Sequence, residues 1–213
     1  MRSEVFINVF RRILRYAYRQ KLKNKNITLI TNNCIGGIIY HDMHLPFLTP
    51  TINLYFDNEE FITFCTFLEE YLLLPVEEYT AHSKPFPVGV LRGKHGDVHV
   101  FFMHYDSFES AIKKWEDRKR RIDWENLYIV MEAQQCDKTT LAKFNNIPYK
   151  NKVVLTDGET GIANSFPIKS EFYANNYWPG KLLEYPPYGL LRYMDKFDYV
   201  IFFNTGRIRR RYV

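Results

Sequence analysis

The sequence predicts one α/β domain over residues 1–213, with three α/β/α layers around a mixed, mostly parallel sheet and an added antiparallel hairpin. Short runs rich in β-branched residues alternate with segments of helical periodicity, which is typical of a layered α/β protein. Two of these runs flank the glycine-containing loop 93–96, which predicts the hairpin. No internal repeat, low-complexity run or linker divides the 213 residues.

The first predicted element is an amphipathic helix over residues 3–23, within a basic N-terminal segment 1–25. Five apolar residues recur at helical spacing along one side: Phe6, Val9, Phe10, Ile13 and Ala17. Arg11, Arg15 and Arg19 form a column with i, i+4 spacing on another side. Such a helix can lie on an anionic membrane surface, or it can pack on the domain or on a second subunit with its arginines solvated.

The next segments follow from apolar periodicity and from helix breakers. The pattern predicts strand 27–31, helix 36–44, strand 51–56 and a helix from Asp57 or Asn58 to Leu73. Pro46 and Pro50 prevent the helix at 36–44 from continuing. These four elements supply the first two strands of the predicted sheet and two of its covering helices.

The second half of the chain repeats the alternation. It predicts hairpin strands 88–92 and 97–105, helix 107–122, strand 127–131, helix 139–145 and strand 152–156. The pattern weakens after Asp157, where Gly, Pro and Tyr are scattered through 158–188. Residues 192–203 predict either a helical turn or a final strand.

Positive charge is concentrated at the two ends of the chain. The formal net charge is +5, but residues 2–25 carry +7 and the tail Arg207–Arg211 carries +4, which leaves −6 for the rest. A nucleic-acid-binding protein would more often spread basic residues over one face of its folded body. The distribution therefore predicts basic terminal arms and no nucleic-acid partner.

Cysteine usage and hydropathy bear on the cellular compartment. Cys34, Cys65 and Cys136 are far apart and form no C-x-x-C pair, which argues against a disulfide framework and a structural zinc site. No run approaches 18 consecutive apolar residues, and arginines interrupt the N-terminal segment where a secretory signal would need an apolar core. We expect a cytoplasmic protein, with contact to the inner membrane surface through residues 3–23 as one alternative.

The Asn-Asn-Cys turn at 32–34 is the first candidate site, because α/β proteins bind ligands outside the carboxyl ends of their strands. Cys34 stands where a strand ends and a helix begins, and a helix N-terminus can lower a thiol pKa. His41 lies two helical turns away, about 10 Å along the axis, which is too far for a direct pair. His104 is therefore the predicted base for a Cys34 nucleophile; a small buried thiol at a tight turn is the alternative.

Neighbouring residues of this turn are candidates for substrate binding. Asn33 can offer its amide to a substrate oxygen, or it can serve only the backbone of the turn. Gly36 and Gly37 either let a ligand approach the backbone or allow close packing of helix and strand. His41 and Asn53 are expected to assist. The glycines match neither a dinucleotide fingerprint nor a P-loop, so no cofactor is predicted.

Two further groups carry charge or metal-ligand atoms. Arg118 and Arg121 belong to a basic run that could clamp a diphosphate, although such runs are usually solvated. His41, Asp42 and His44 lack the spacing of a helical zinc motif, and the chain has no D-x-D dyad, so no metal is predicted.

Five segments together resemble a bacterial family of uncharacterised proteins that are labelled exopolysaccharide biosynthesis proteins. The segments occur at 32–37, 45–54, 102–109, 114–124 and 148–154. The resemblance extends from the first predicted strand to slightly beyond the strand at 152, and the Arg207–Arg211 tail lies outside it. It implies a role in capsule or surface-polysaccharide synthesis and supplies no catalytic residues.

The leading hypothesis is therefore a cytoplasmic, metal-independent transferase that moves a glycosyl or acyl group to or from a glycan precursor. Its partners would be that precursor and an activated sugar or acyl donor. Cys34 with His104 suits acyl transfer, and a basic clamp at 118–121 suits a nucleotide-sugar diphosphate. The alternative hypothesis is a non-enzymatic accessory protein that binds a glycan or a lipid carrier at the inner membrane surface. A homo-oligomer is compatible with both hypotheses.

Overall fold

The computed structural model describes residues 2–133, 136–168 and 181–211, with the side chains from Phe6 onward. Its helices are α1 Arg2–Lys21, α2 Ile35–Met43, α3 Asn58–Thr66, α4 Leu68–Leu73, α5 Phe108–Lys119, α6 Lys138–Asn145 and α7 Tyr199–Thr205. Its strands are β1 Thr28–Thr31, β2 Glu77–Glu78, β3 Val88–Gly93, β4 Gly96–Phe101, β5 Leu127–Ala133, β6 Lys152–Thr156 and β7 Ser165–Pro167.

Four strands form a central sheet in the order β1-β5-β6-β7, and every described pair in it is parallel. All seven residues of β5 are buried, because a parallel sheet is covered on both faces. The hairpin β3–β4 is confirmed, but it joins β2 in a separate antiparallel sheet instead of extending the central one. The α/β class with helices on both faces is thus confirmed.

Two apolar cores lie on opposite faces of the central sheet. Alternate residues of β5 divide between them: Ile129 and Met131 face one core, and Tyr128 and Val130 face the other. The first core also holds apolar residues of α3, α4, α5, α6 and the antiparallel sheet. The second holds those of α1, α2 and α7. A helix that follows a strand therefore packs on the face of the sheet where its core lies.

The predicted strand at 51–56 is wrong. Only Tyr55 forms a bridge, to Phe101, and Asn53 has a left-handed backbone with φ of 62° that interrupts an extended chain. The segment instead crosses the end of β1, where the Thr51 hydroxyl accepts a hydrogen bond from the Thr31 amide at 3.1 Å. It is therefore held by the end of the central sheet and is not a member of it.

Two predicted helices also differ in the structure. The helix to Leu73 breaks at Phe67, whose ring stacks on His95 with 3.4 Å between centroids. The helix predicted at 107–122 ends at Lys119. Near the end of the chain, the segment 192–203 is predicted to form a helical turn or a strand. It contains most of the helix α7, Tyr199–Thr205, and no strand. Residues 169–180, within the segment for which no element is predicted, lie outside the described residues.

Helix α1 packs with the opposite face to the one expected. Its arginine column contacts the body of the protein, whereas Phe6, Val9, Phe10 and Ile13 are exposed. The expectation of solvated arginines is therefore wrong. The apolar residues that do anchor α1 are Tyr18 and Leu22 near its end.

Candidate functional site

The carboxyl ends of β1 and β5 form a switch point of the central sheet. From β1 the chain enters α2, which packs in the second core, and from β5 it enters α6, which packs in the first. The two connections therefore diverge to opposite faces and leave a gap between neighbouring strand ends. Ligands of open α/β sheets bind in such gaps.

A network of buried polar groups spans the two strand ends at this gap. The Asn32 side chain exchanges two hydrogen bonds with the backbone of Glu132, from Nδ2 to the carbonyl and from the Glu132 amide to Oδ1, both at 2.9 Å. The Asn33 Nδ2 donates to Glu132 Oε2 at 2.5 Å, and Asn33 Oδ1 accepts from the Ile35 amide at 3.0 Å. The turn after β1 is thereby fixed to the end of β5.

Glu132 is the ionisable centre of this network. Its residue is 1% exposed and its side chain lies on the α2 side of β5. Burial raises the pKa of Glu132 to about 7, and the hydrogen bond from Asn33 opposes that shift. Burial disfavours the charged form of a carboxyl, so near neutral pH Glu132 can both accept and release a proton. A strongly shifted carboxyl at a strand end is a candidate for acid–base chemistry.

Cys34 lies beside this carboxyl at the start of α2. Its sulfur is 4.0 Å from Met103 Sδ. Burial, together with the negative charge of Glu132, raises the pKa of the Cys34 thiol to about 11. The thiol is therefore protonated near pH 7, in contrast to the activated thiol that a helix N-terminus can produce.

His104, the predicted base, follows Met103 in the turn after β4 and is exposed. The strand predicted to reach 105 ends at Phe101, because the Met103 amide turns back to donate to the Phe101 carbonyl at 2.9 Å. Among the described residues, no hydrogen bond joins His104 to Cys34. His104 thus stands at the edge of the site rather than on the thiol.

The two glycines of α2 serve different purposes. A Cβ at Gly36 would lie 2.7 Å from Thr31 Oγ1, so Gly36 allows the helix to pack closely on β1. A Cβ at Gly37 would lie 3.6 Å from Asn53 Oδ1, which is ordinary van der Waals contact. Close packing therefore explains Gly36, and Gly37 is left on the side that faces the 45–56 segment.

A chain of contacts leads from this segment to α5. The Tyr105 hydroxyl donates to the Ile52 carbonyl at 2.9 Å and accepts from Arg118 Nη1 at 2.7 Å. The Arg118 guanidinium lies 5.2 Å from the centre of the Phe47 ring. Gly37, Asn53 and Arg118 thus lie along one line of contacts beside the 45–56 segment, which we call the rim.

Two predicted residues lie away from these contacts. The His41 side chain is 81% exposed on α2, and Arg121 is exposed beyond the end of α5. Asp42, beside His41, is buried and bound to Arg192. Within the described ranges, no group of three or more His, Cys, Asp or Glu residues is arranged to hold a metal ion.

Glu132, Met103 and Tyr105 were not predicted as site residues. Glu132 could have been found, because it follows an apolar strand and shares the parity of Tyr128 and Val130, which predicts a carboxyl on a buried face. Met103 and Tyr105 carry no comparable signal. Their place depends on how the turn after β4 folds against α2 and the 45–56 segment.

Comparison with known proteins gives a family without an assigned activity. Residues 5–204 match the model of a domain of unknown function, DUF1919, and the chain belongs to that family. A protein of Haemophilus influenzae (strain ATCC 51907 / DSM 11121 / KW20 / Rd), described as uncharacterized, is 33% identical over 192 residues. That match covers 87% of this chain and 88% of the relative. The switch point and the rim fall within residues 5–204, the part of the chain that the family model matches.

Proposed function

We propose that this chain is a metal-independent transferase whose acid–base group is Glu132. The observation that carries the proposal is a buried carboxyl with a pKa of about 7 at the switch point of a parallel sheet. A general base works best when its pKa lies near the working pH. The same carboxyl also fastens the Asn32–Asn33 turn, so a structural role is the competing explanation that an experiment has to separate.

Glycosyl transfer is the reaction that fits these groups best. An acceptor hydroxyl oxygen would attack the anomeric carbon of the donor, the bond to the leaving group would break, and Glu132 would receive the hydroxyl proton. Arg118 at the rim carries a positive charge that can stabilise a phosphate leaving group. A covalent acyl-cysteine step is less suited, because a thiol with a pKa of about 11 is a weak nucleophile at pH 7.

The substrate class rests on the family resemblance. The resemblance of five segments to bacterial proteins labelled exopolysaccharide biosynthesis leads us to propose a glycan precursor as acceptor and a nucleotide-linked sugar as donor; the matched family model and relative carry no such label. Asn53, beside Gly37, and His104, in the turn after β4, are the proposed contacts for sugar hydroxyls. Asn33 is a positioning residue in this scheme, since its amide oxygen and nitrogen already serve the Ile35 amide and Glu132.

The test is donor turnover by the purified chain. It is incubated with panels of nucleotide sugars and of acyl-coenzyme A donors, each with a glycan acceptor and a metal chelator, and release of the nucleotide or of coenzyme A is measured. We expect consumption of a nucleotide sugar. Glu132→Gln should lower turnover about 10²- to 10⁴-fold, the usual contribution of a general base. Cys34→Ala should leave it nearly unchanged.

Matched variants separate catalysis from folding. Arg118→Gln should raise the KM for the donor, whereas Arg121→Gln, on the exposed end of the same basic run, should not. Unfolding of each variant is followed in parallel, so that a loss of turnover without a loss of stability identifies a role in the reaction. Full turnover by Glu132→Gln would contradict the proposal, and acyl-donor consumption that requires Cys34 would replace it with acyl transfer.

A further inference from the structure

Helix α1 is fixed to the domain by its charged face. Arg11 donates two hydrogen bonds to the Gly189 carbonyl, at 2.7 and 3.1 Å, and its guanidinium lies 3.6 Å from the centre of the Tyr185 ring. Arg15 lies 3.7 Å from the carboxylate of Asp42, and Arg19 donates to the Asp42 carbonyl at 2.5 Å. The arginines are therefore occupied on the inner side, and the helix cannot turn this face outward without losing these contacts.

The outer face of α1 is apolar. Five large side chains on it are between 47% and 66% exposed: Phe6, Val9, Phe10, Ile13 and Tyr16. Their spacing places them along one stripe of the helix. An exposed apolar stripe of this size marks an interaction surface, because isolated exposed apolar residues are normal but contiguous ones are not.

Four exposed cations stand near the end of this stripe, and one of them, Arg210, also donates to the Pro167 carbonyl at 3.2 Å. Lys21, Lys23, Arg209 and Arg210 line a groove of about 560 Å³ where α1 meets the last described segment. None of them forms an ion pair with an acid of the described residues. The acid that also lines the groove, Asp198, caps the Ile201 amide at 3.1 Å and lies 3.5 Å from Arg211. The basic start and the basic tail of the chain thus meet in one patch.

We infer that this surface docks on an anionic phospholipid bilayer, with the apolar stripe at the boundary of head groups and acyl chains and the cations on lipid phosphates. Apolar residues beside lysines and arginines are the composition of helices that lie in that boundary. No helix among residues 2–133, 136–168 and 181–211 is long and apolar enough to cross a membrane, so contact through α1 is lateral.

Charge argues for a lipid surface over a second copy of this chain. Two copies joined through the stripe would bring their own uncompensated cations together, including the exposed Arg12. An anionic bilayer instead supplies the opposite charge, and each lysine or arginine near it strengthens binding. The inference goes beyond the transferase proposal and holds whatever reaction the switch point carries out.

Vesicle flotation of the full chain tests the inference. Vesicles of phosphatidylcholine with about 30% phosphatidylglycerol are compared with pure phosphatidylcholine, at low and at high salt. We expect binding to the anionic vesicles that falls with salt, since screening weakens surface attraction. The double variant Val9→Ser, Ile13→Ser should bind about tenfold or more weakly. Leu73→Ser, which changes an exposed leucine of α4, is the matched control and should bind normally.

A second set of variants tests the cations. The triple variant Lys21→Gln, Lys23→Gln, Arg209→Gln should weaken binding roughly a hundredfold, at roughly fivefold for each charge. The control carries the same charge change at Lys113, Lys114 and Lys150, exposed residues on the other side of the central sheet. Equal weakening by both triple variants would overturn the docking surface. So would absence of vesicle binding, or a solution dimer that the stripe variant converts to a monomer.

Discussion

The two ends of α2 each stand beside a buried acid, and the two acids are held in different ways. Glu132, at the start of the helix, accepts a hydrogen bond from the amide of Asn33. Asp42, in the last turn, accepts from the guanidinium of Arg192 at 2.5 Å and lies 3.7 Å from Arg15. A neutral donor stabilises a carboxylate less than a cation does.

This difference assigns a role in the reaction to Glu132 and a structural role to Asp42. The pKa of Glu132 rises to about 7, so its carboxyl exchanges a proton in the physiological range. Asp42 and Arg192 form a buried ion pair that connects α2 to the segment before α7, and α1 covers it. We therefore place the reaction at the start of α2 and a purely structural role at its end. The predictions below test this assignment in order of expected effect.

Removing the cation at the end of α2 should have the largest effect. Arg192→Met leaves the Asp42 carboxylate buried without its closest partner, and breaking such a pair costs about 3 to 5 kcal/mol. Urea unfolding measures the loss, and Arg12→Met, which changes an exposed arginine, should cost less than about 0.5 kcal/mol. A loss below about 1 kcal/mol would show that Asp42 does not need Arg192.

Replacing Glu132, the acid at the start of α2, with glutamine should change the free energy of unfolding only at pH values above the acidic range. A carboxyl whose pKa is raised to about 7 from an ordinary value of 4.5 loses stabilisation as pH rises between those values. Glu132→Gln removes that loss. Its free energy of unfolding, relative to that of the unmodified chain, should therefore rise by about 3 kcal/mol between pH 4.5 and pH 7.5. Urea unfolding at both pH values gives the difference.

The control for that experiment is Glu78→Gln, which changes an exposed acid of β2. It should give the same small difference at both pH values. A Glu132→Gln effect that is constant with pH would mean that the carboxyl ionises alike in the folded and unfolded chain. The assignment of different roles to Glu132 and Asp42 would then be contradicted.

The smallest effect concerns how closely α2 approaches β1. Gly36→Ala places a Cβ 2.7 Å from Thr31 Oγ1, and overpacking of this kind costs about 1 to 3 kcal/mol. Gly37→Ala meets only ordinary contacts and should gain up to about 1 kcal/mol from helix propensity. Thermal or urea unfolding of the pair distinguishes them, and equal effects would contradict the packing explanation for Gly36.

The sequence predicts β1, β5 and β6 of the parallel sheet because their signals are local, but it does not predict β7 and wrongly predicts a strand at 51–56. An apolar run such as 127–131 and the Asn-Asn-Cys turn each indicate an element whose neighbours need not be known. The partner of Cys34 could not be predicted in the same way. The pattern places His104 at the end of a strand, but β4 ends earlier, at Phe101, and Met103 contacts Cys34 instead. Non-local packing decides which side chain of a turn faces inward.

Helix α1 is a second element whose packing could not be predicted from its own sequence. The sequence has a clear amphipathic pattern, and such a pattern normally predicts that the apolar side of the helix is buried. The structure exposes that side because the arginines find a carbonyl at Gly189 and a buried acid at Asp42. Both partners are remote in sequence, and a helical pattern alone contains no information about them.

The contacts of α1 also have a consequence for biosynthesis. Gly189, Asn204 and Arg211 contact α1, and they are synthesised long after it. At roughly 5 to 20 residues per second, the wait lasts roughly 10 to 40 s. During it α1 can contact α2 through Asp42 but not the residues that complete its docking surface. We therefore expect α1 to complete its docking only after Arg211 has been made, and to be open to chaperone binding until then.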